Sequence, residues 1–226
     1  KWTMPSEQLK FNYFMKSKLL FMALFIGVMA FGQSATDQGA WFKAGMKADL
    51  SKELSLTMSG QYRTSTLSHD RWITEAQFGR EINKNWDLGL ELRHYMIFDT
   101  KGPRQGVFHR VRAQCYASHH IDLAKGDMHF RYALQQRAIL TGSGNNKFTG
   151  RLRMQYDYPI KNFKWDPTLE VELFASGNPN FDRALRLGVG SDSKVAGKKL
   201  GVGYFYQRDV GNTGTHAHVL QTSIRF

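Results

Sequence analysis

Residues 86–93 read Trp-Asp-Leu-Gly-Leu-Glu-Leu-Arg, with an apolar side chain at every even-numbered position and a polar residue or glycine at every odd-numbered one. Successive side chains of a β-strand point to opposite faces, whereas an amphipathic helix repeats its apolar positions about every 3.6 residues. Residues 53–63, 151–158 and 169–175 alternate in nearly the same way. The pattern predicts β-strands that have one apolar and one polar face.

Eleven such segments follow one another along the chain, separated by Gly, Asn, Asp, Ser or Lys. They begin near Trp41, Glu53, Arg71, Trp86, Val107, Asp127, Arg151, Thr168, Ala184, Leu200 and His216. Short turns, as at 83–85, interleave with longer glycine-containing connections, as at 99–106 and 209–215. We therefore predict an all-β fold, a single antiparallel up-and-down transmembrane β-barrel of about 10 to 12 strands, and we expect an even number.

Residues 15–32 have the pattern of a secretory signal peptide. Two lysines precede the almost wholly apolar run Leu19–Gly32, and small residues stand before an expected cleavage point at Gln33. The run is shorter than the roughly 20 residues that a transmembrane helix needs. We predict that residues 1–14 are an upstream extension that is not translated, that the signal peptide is removed, and that residues 33–226 form the barrel domain.

Alternation alone does not show which face is inside, because a soluble barrel buries its apolar face and has the same pattern. Besides the export signal, a C-terminal alternating strand ending at Phe226 resembles the recognition signal of outer-membrane barrels. Aromatic residues also gather near strand ends, as in interfacial girdles. They are Trp41, Trp72, Trp86, Phe98, Tyr158, Trp165, Tyr204 and Tyr206.

These features predict that the chain is located in the outer membrane of a Gram-negative bacterium. The expected partners are outer-membrane lipid, which contacts the apolar face, and the barrel-assembly machinery, which recognises the strand ending at Phe226.

The formal net charge is +12 at pH 7, and after residue 32 the chain has 27 Lys and Arg against 18 Asp and Glu, or +9. Lys lies mainly in predicted turns and Arg mainly inside predicted strands, so no basic helix or arm emerges. Because phosphate recognition needs a clustered basic face, we predict no nucleic-acid partner. The single cysteine, Cys115, excludes an intrachain disulfide.

The polar faces of the predicted strands carry Arg and Glu, and these side chains are the strongest candidates for a lumen site that binds a ligand or passes ions. They are Arg93, Arg110, Arg112, Arg131, Arg137, Arg151, Arg153 and Arg186, with Glu75, Glu91, Glu170 and Glu172, and Asp157 on the same face. One interpretation is a narrow anion-preferring pore or a cavity for an acidic ligand. The other, which we favour for so small a barrel, is a network of ion pairs that fills the interior.

The alternative function is that of an outer-membrane enzyme, a lipid or peptide hydrolase with its site at the rim. His69 with Asp70, or Asp209 with His216, would supply acid and base at the ends of loops. No nucleophile motif of the form G-x-S-x-G accompanies them. We therefore predict no catalytic residues and no cofactor.

Two histidine pairs were considered as metal ligands. His119 and His120 fall in a predicted turn, where solvated histidines are ordinary. His216 and His218 share a strand face with Leu220, so we expect them to point outward rather than toward a ligand. We predict no metal site.

From Trp41 onward the order of short motifs resembles a family of bacterial outer-membrane proteins catalogued as domain of unknown function 2490. The motifs are Trp41–Phe42, the turn at 50–56, His109–Arg110, 151–153, 170–174, 186–188 and 203–206. The resemblance implies an outer-membrane β-barrel. It implies no activity, and no catalytic residues follow from it.

Overall fold

The computed structural model describes residues 36–100, 105–142, 144–177, 183–210 and 215–226, and these form a closed β-barrel. Its strands are β1 (Thr36–Asp49), β2 (Leu54–Ser65), β3 (Asp70–Asn83), β4 (Trp86–Asp99), β5 (Gly106–Asp122), β6 (Asp127–Ile139), β7 (Lys147–Asp157), β8 (Asp166–Ser176), β9 (Arg183–Val195), β10 (Lys198–Asp209) and β11 (His216–Arg225). The predicted all-β barrel is confirmed. The predicted upstream extension and signal peptide lie outside the described residues.

Nowhere in the described ranges is there a helix with the length and apolarity needed to cross a bilayer.

Each strand pairs antiparallel with the next strand along the chain, so the ten pairings leave β11 running in the same direction as β1. The two strands meet where Gly39 lies against the Val219 side chain and where the Phe226 N–H donates to the Gly45 carbonyl at 2.9 Å. The closing seam is therefore parallel. The expected even number was wrong, because an even count is required only when the closing pair is also antiparallel.

Nine of the eleven strands begin within two residues of the predicted start, whereas β1 and β7 begin five and four residues earlier. The missed residues, 36–40 and 147–150, are mostly polar or small and carry no apolar alternation. Backbone pairing extends them all the same: Gly39 is in register with Ser65, and Lys147 with Arg137.

The connections divide the barrel into two ends. We call the end with the connections 50–53, 84–85, 123–126, 158–165 and 196–197 the turn end. The opposite end, which we call the loop end, carries the connection 66–69 and the final residues of β4, β6, β8 and β10. β1 begins at the loop end, and β11 ends at the turn end.

The two faces of the barrel wall differ in polarity. Outward-pointing Leu90 and Met46 are 62% and 61% exposed, whereas Glu91, beside Leu90 on the same strand, is 5% exposed and Gln61 is 7% exposed. Water-soluble proteins bury residues such as Leu and Met and rarely bury an unpaired Glu. The apolar face of the strands is thus the outer face of the barrel, and the polar face lines its interior.

Inside the turn-end half, Gly89 on β4 makes room for a tyrosine ring. It is in register with Tyr116 on β5, and a Cβ at this position would collide with the ring. The Tyr116 hydroxyl accepts a hydrogen bond from Gln77 Nε2 at 2.7 Å, and the Arg131 guanidinium carbon lies 4.4 Å from the ring centroid. The absence of a side chain at Gly89 therefore leaves the space in which Tyr116 contacts Gln77 and Arg131.

Gly89→Ala is expected to lower the free energy of unfolding by about 1–3 kcal/mol, because the added methyl displaces the ring and its partners. Gly150→Ala is the matched control, since its Cβ would have its nearest neighbours at 3.9 and 4.0 Å, which is ordinary contact. Urea midpoints of the refolded proteins in detergent micelles measure both changes. Equal midpoints for the two variants would contradict the assigned fit of the ring.

Candidate functional site

Buried ion pairs cross the middle of the barrel interior, and the first group lies on β1, β3, β4 and β5. Glu75 accepts a hydrogen bond from Lys43 Nζ at 2.9 Å and also contacts Arg93 Nε. Glu91 Oε1 is 2.9 Å from Arg93 Nε and also contacts Arg112 Nη2. The two glutamate side chains are only 6% and 4% exposed. Each buried carboxylate is thus balanced by cations from its own or neighbouring strands.

The second group centres on Glu172 of β8, whose side chain is 3% exposed. Its Oε1 accepts from Arg151 Nε at 3.1 Å and Nη2 at 2.5 Å, and its Oε2 accepts from Arg186 Nη1 at 2.9 Å. Arg151 Nη1 also donates to Gln114 at 3.0 Å, and Arg186 Nη2 to Gln207 at 2.8 Å. One carboxylate therefore holds two guanidinium groups, and neutral amides satisfy their remaining donors.

Strand register explains why these charges lie at one level. Arg93 on β4 is in register with Glu75 on one side and Arg112 on the other. Glu172 is likewise in register with Arg153 and Arg186. We call this level the central network, and its members are Lys43, Glu75, Glu91, Arg93, Arg112, Arg151, Glu172 and Arg186.

The central network separates two cavities. The loop-end chamber, of about 610 Å³, is lined by residues that include Trp41, Tyr95 and Arg110. The turn-end chamber, of about 460 Å³, is lined by residues that include Gln155 and Glu170. Between them the described side chains leave a void of about 50 Å³, scarcely more than the room of one or two water molecules. A further cavity of about 380 Å³ at the turn end is lined by residues that include Gln77 and Tyr116. The interior thus has cavities toward both ends and little free volume at the level of the central network, which we call the filled middle.

The twelve candidate Arg and Glu residues lie at three levels. Seven belong to the central network: Glu75, Glu91, Arg93, Arg112, Arg151, Glu172 and Arg186. Arg131, Arg153 and Glu170 lie toward the turn end, where Arg153 Nη1 is 3.6 Å from Glu170 Oε2. Arg110 and Arg137 line the loop-end chamber.

Trp41 lies inside the barrel, which corrects its assignment to an outer aromatic girdle. Its ring makes an edge contact with Phe205 at 4.7 Å between centroids, and the Arg63 guanidinium carbon lies 3.5 Å from its centroid. The alternation of β1 could have predicted this position, because Trp41 lies two residues before Lys43 and therefore shares its face. Arg63, Arg71 and Lys43 also line the interior, although they were absent from the predicted set of lumen residues.

His120 is part of strand β5, so its assignment to a turn was wrong. Its Nε2 is 2.6 Å from Asp87 Oδ2, its Nδ1 is 2.5 Å from His129 Nδ1, and His129 Nε2 is 3.2 Å from Asp157 Oδ2. Because an ionised carboxylate only accepts hydrogen bonds, both Nε2 atoms donate to their aspartates. This polar row joins four strands near the turn end.

The enzyme hypothesis paired His69 with Asp70 and Asp209 with His216, but these residues have other contacts in the structure. His69 Nδ1 lies 3.3 Å from Asp99 Oδ1, while Asp70 Oδ2 accepts a hydrogen bond from the Tyr62 hydroxyl at 3.0 Å. Asp209 lines the loop-end chamber, whereas His216 lies on the opposite face of the wall.

His216 and His218 point outward, as their parity predicted. Their Nδ1 atoms each lie 2.5 Å from a tyrosine hydroxyl on β10, that of Tyr206 and that of Tyr204 respectively. The rings stack beside one another on the outer surface.

Comparison with known proteins gives one match. A family model described as "Protein of unknown function (DUF2490)" matches residues 38–218. No curated protein matches the chain, and no solved structure does. The matched range runs from β1 into β11 and contains every member of the central network.

Proposed function

The chain belongs to the DUF2490 family of proteins of unknown function, and we propose that it is an outer-membrane β-barrel of a Gram-negative bacterium that binds ligands in its chambers and does not conduct ions. The observation that carries this proposal is the inverted polarity of the wall, with exposed Leu90 and Leu92 outside and buried Glu91 inside. Such a distribution is unfavourable in water and favourable in lipid.

The lengths of the strands support a bilayer-spanning barrel. They contain 10 to 17 residues, and a tilted strand needs about 9–11 residues to cross the hydrocarbon core. Closure also satisfies the polar groups of the backbone, which is a requirement in a solvent that offers no hydrogen bonds. Outer-membrane lipid is then the partner of the apolar outer face.

Phe226 supports assembly in the outer membrane. It follows β11 directly, at the turn end, with its side chain 58% exposed. In this proposal the barrel-assembly machinery recognises this terminal strand, and the turn end faces the periplasm while the loop end faces outward.

The filled middle supports binding over conduction. The void of about 50 Å³ inside the central network is lined by paired groups, among them Arg93, Arg151 and Glu172. An ion that passed this level would have to break buried ion pairs, which costs several kcal/mol for each uncompensated charge. The chambers on either side remain large enough to hold small molecules.

Refolding the predicted mature chain, residues 33–226, tests the proposal. We expect a folded barrel with heat-dependent electrophoretic mobility in the presence of lipid vesicles or detergent, and aggregation without them. Planar-bilayer recording of the folded protein is expected to show no stepwise conductance. A monomer that folds in plain buffer would contradict the membrane location, and regular conductance steps would contradict the closed interior.

A further inference from the structure

The loop-end chamber carries far more positive than negative charge. Among the described residues that line it are eight Arg and Lys residues, against the two aspartates Asp37 and Asp209. Two of the eight, Arg112 and Arg186, are balanced by glutamates of the central network, and Lys147 and Arg183 also have partners. The excess of positive charge therefore lies nearer the loop end of the chamber.

Three arginines on β3, β5 and β6 form the centre of this excess, and we call Arg71, Arg110 and Arg137 the arginine triad. Arg137 is close enough to the other two to be repelled electrostatically by both, and it is also in register with Arg112. Like charges directly opposite one another destabilise a sheet. Asp37 and Asp70 attract Arg71, whereas Arg110 and Arg137 are held together against their mutual repulsion.

Two donors of the triad have no acceptor in the part of the barrel that the structure describes. The Nε atoms of Arg110 and Arg137 are buried and have no hydrogen-bond partner among the described residues. Arg71 Nη2 donates to the neutral Ser68 hydroxyl at 2.8 Å. A buried N–H donor without an acceptor is costly, and native proteins rarely leave one so.

We infer that the arginine triad binds a small ligand that carries at least two phosphate or carboxylate groups. A guanidinium group binds either group bidentately, and three of them offer more donors than one monovalent anion can use. The chamber volume of about 610 Å³ suits a small molecule. This inference names the ligand class for the binding role proposed above and rests on that role.

The test compares Arg110→Gln/Arg137→Gln with Arg80→Gln/Arg208→Gln, which removes the same net charge from residues outside the chamber. Arg80 is a suitable control because its side chain is 65% exposed and its partner Glu53 is equally exposed at 3.7 Å. Calorimetric titrations of folded protein in detergent use pyrophosphate, citrate, acetate and a short-chain phosphatidic acid. Heat-dependent mobility establishes beforehand that each protein is folded.

We expect saturable binding of pyrophosphate or citrate that weakens with added salt, is at least tenfold weaker in the triad variant, and is unchanged in the control. Tighter binding of phosphatidic acid, which carries a single phosphate group, than of pyrophosphate would assign the site to a monophosphate headgroup and overturn the inference. The reverse order would assign the site to a free polyanion.

Absence of binding by folded wild-type protein, binding of acetate as tight as that of citrate, or equal losses in both variants would overturn the inference. None of these results concerns membrane insertion, which the mobility and vesicle measurements test separately.

Stability without ligand supplies a second measurement. Removing two mutually repelling charges should raise the urea midpoint of the triad variant above that of the wild type. A midpoint that is unchanged or lower would mean that the barrel itself already balances these arginines, and it would overturn the inference.

Discussion

Glu172→Gln is expected to lower the free energy of unfolding of the barrel by about 3–5 kcal/mol, the usual effect of removing one partner of a buried ion pair. The Glu172 carboxylate accepts hydrogen bonds from both Arg151 and Arg186, and all three side chains are largely buried. An amide keeps the shape but loses the charge, so two guanidinium groups are left in the interior without a counter-ion.

Glu170→Gln is the matched control on the same strand. Glu170 is 25% exposed and, among the described residues, has one ion-pair contact, with Arg153 at 3.6 Å. We expect a loss below about 1 kcal/mol, as for other partly solvated pairs. Urea titration of both variants in the same detergent measures the difference, and similar losses would mean that Glu172 does not organise the central network.

Leu92→Arg is expected to cause the second large loss of stability, and the size of this loss separates a membrane barrel from a soluble one. Leu92 points outward between Glu91 and Arg93 of the central network and is 54% exposed, so in the proposed orientation it lies near the bilayer midplane. An arginine on the lipid face at that depth costs about 2–4 kcal/mol. In water the same substitution on an exposed site would be close to neutral.

Leu54→Arg serves as the control, because Leu54 is the first residue of β2 and lies beside the turn. Near the interface we expect a cost of about 0–1 kcal/mol. The fraction of each variant that folds into phosphatidylcholine vesicles at increasing urea concentrations measures both costs. Equal stabilities of the two variants would count against a bilayer around the barrel.

Local alternation was sufficient to predict the strands and their two faces. In residues 86–93 each side chain is assigned to a face by parity alone, since the backbone of a strand turns its side chains through half a circle per residue. Parity placed Glu91 and Arg93 on one face and His216 and His218 on the other, and the features that favour lipid contact then predicted which face is inside. The predicted positions of Trp41 and His120 were wrong, because both lie near the ends of the predicted strands, where the alternation is short.

The number of strands differs from the even count that the general rule for bacterial barrels predicts. Eleven segments were visible in the sequence, and an even total was expected because antiparallel closure requires one. The alternation within β1 and β11 does not predict which strand each of them pairs with. The contact between Gly45 and Phe226, which lie at opposite ends of the chain, exists only once the sheet curls into a barrel.

The sequence by itself determined that this protein is an all-β barrel with an apolar and a charged face, because strand period is a local property of the backbone. Only the tertiary structure decided that the seam is parallel, that Glu172 joins Arg151 to Arg186, and that Arg71, Arg110 and Arg137 meet in one chamber. The reason is physical: which charges face each other depends on the register of separate strands and on closure, and neither is encoded in the neighbours of any one residue.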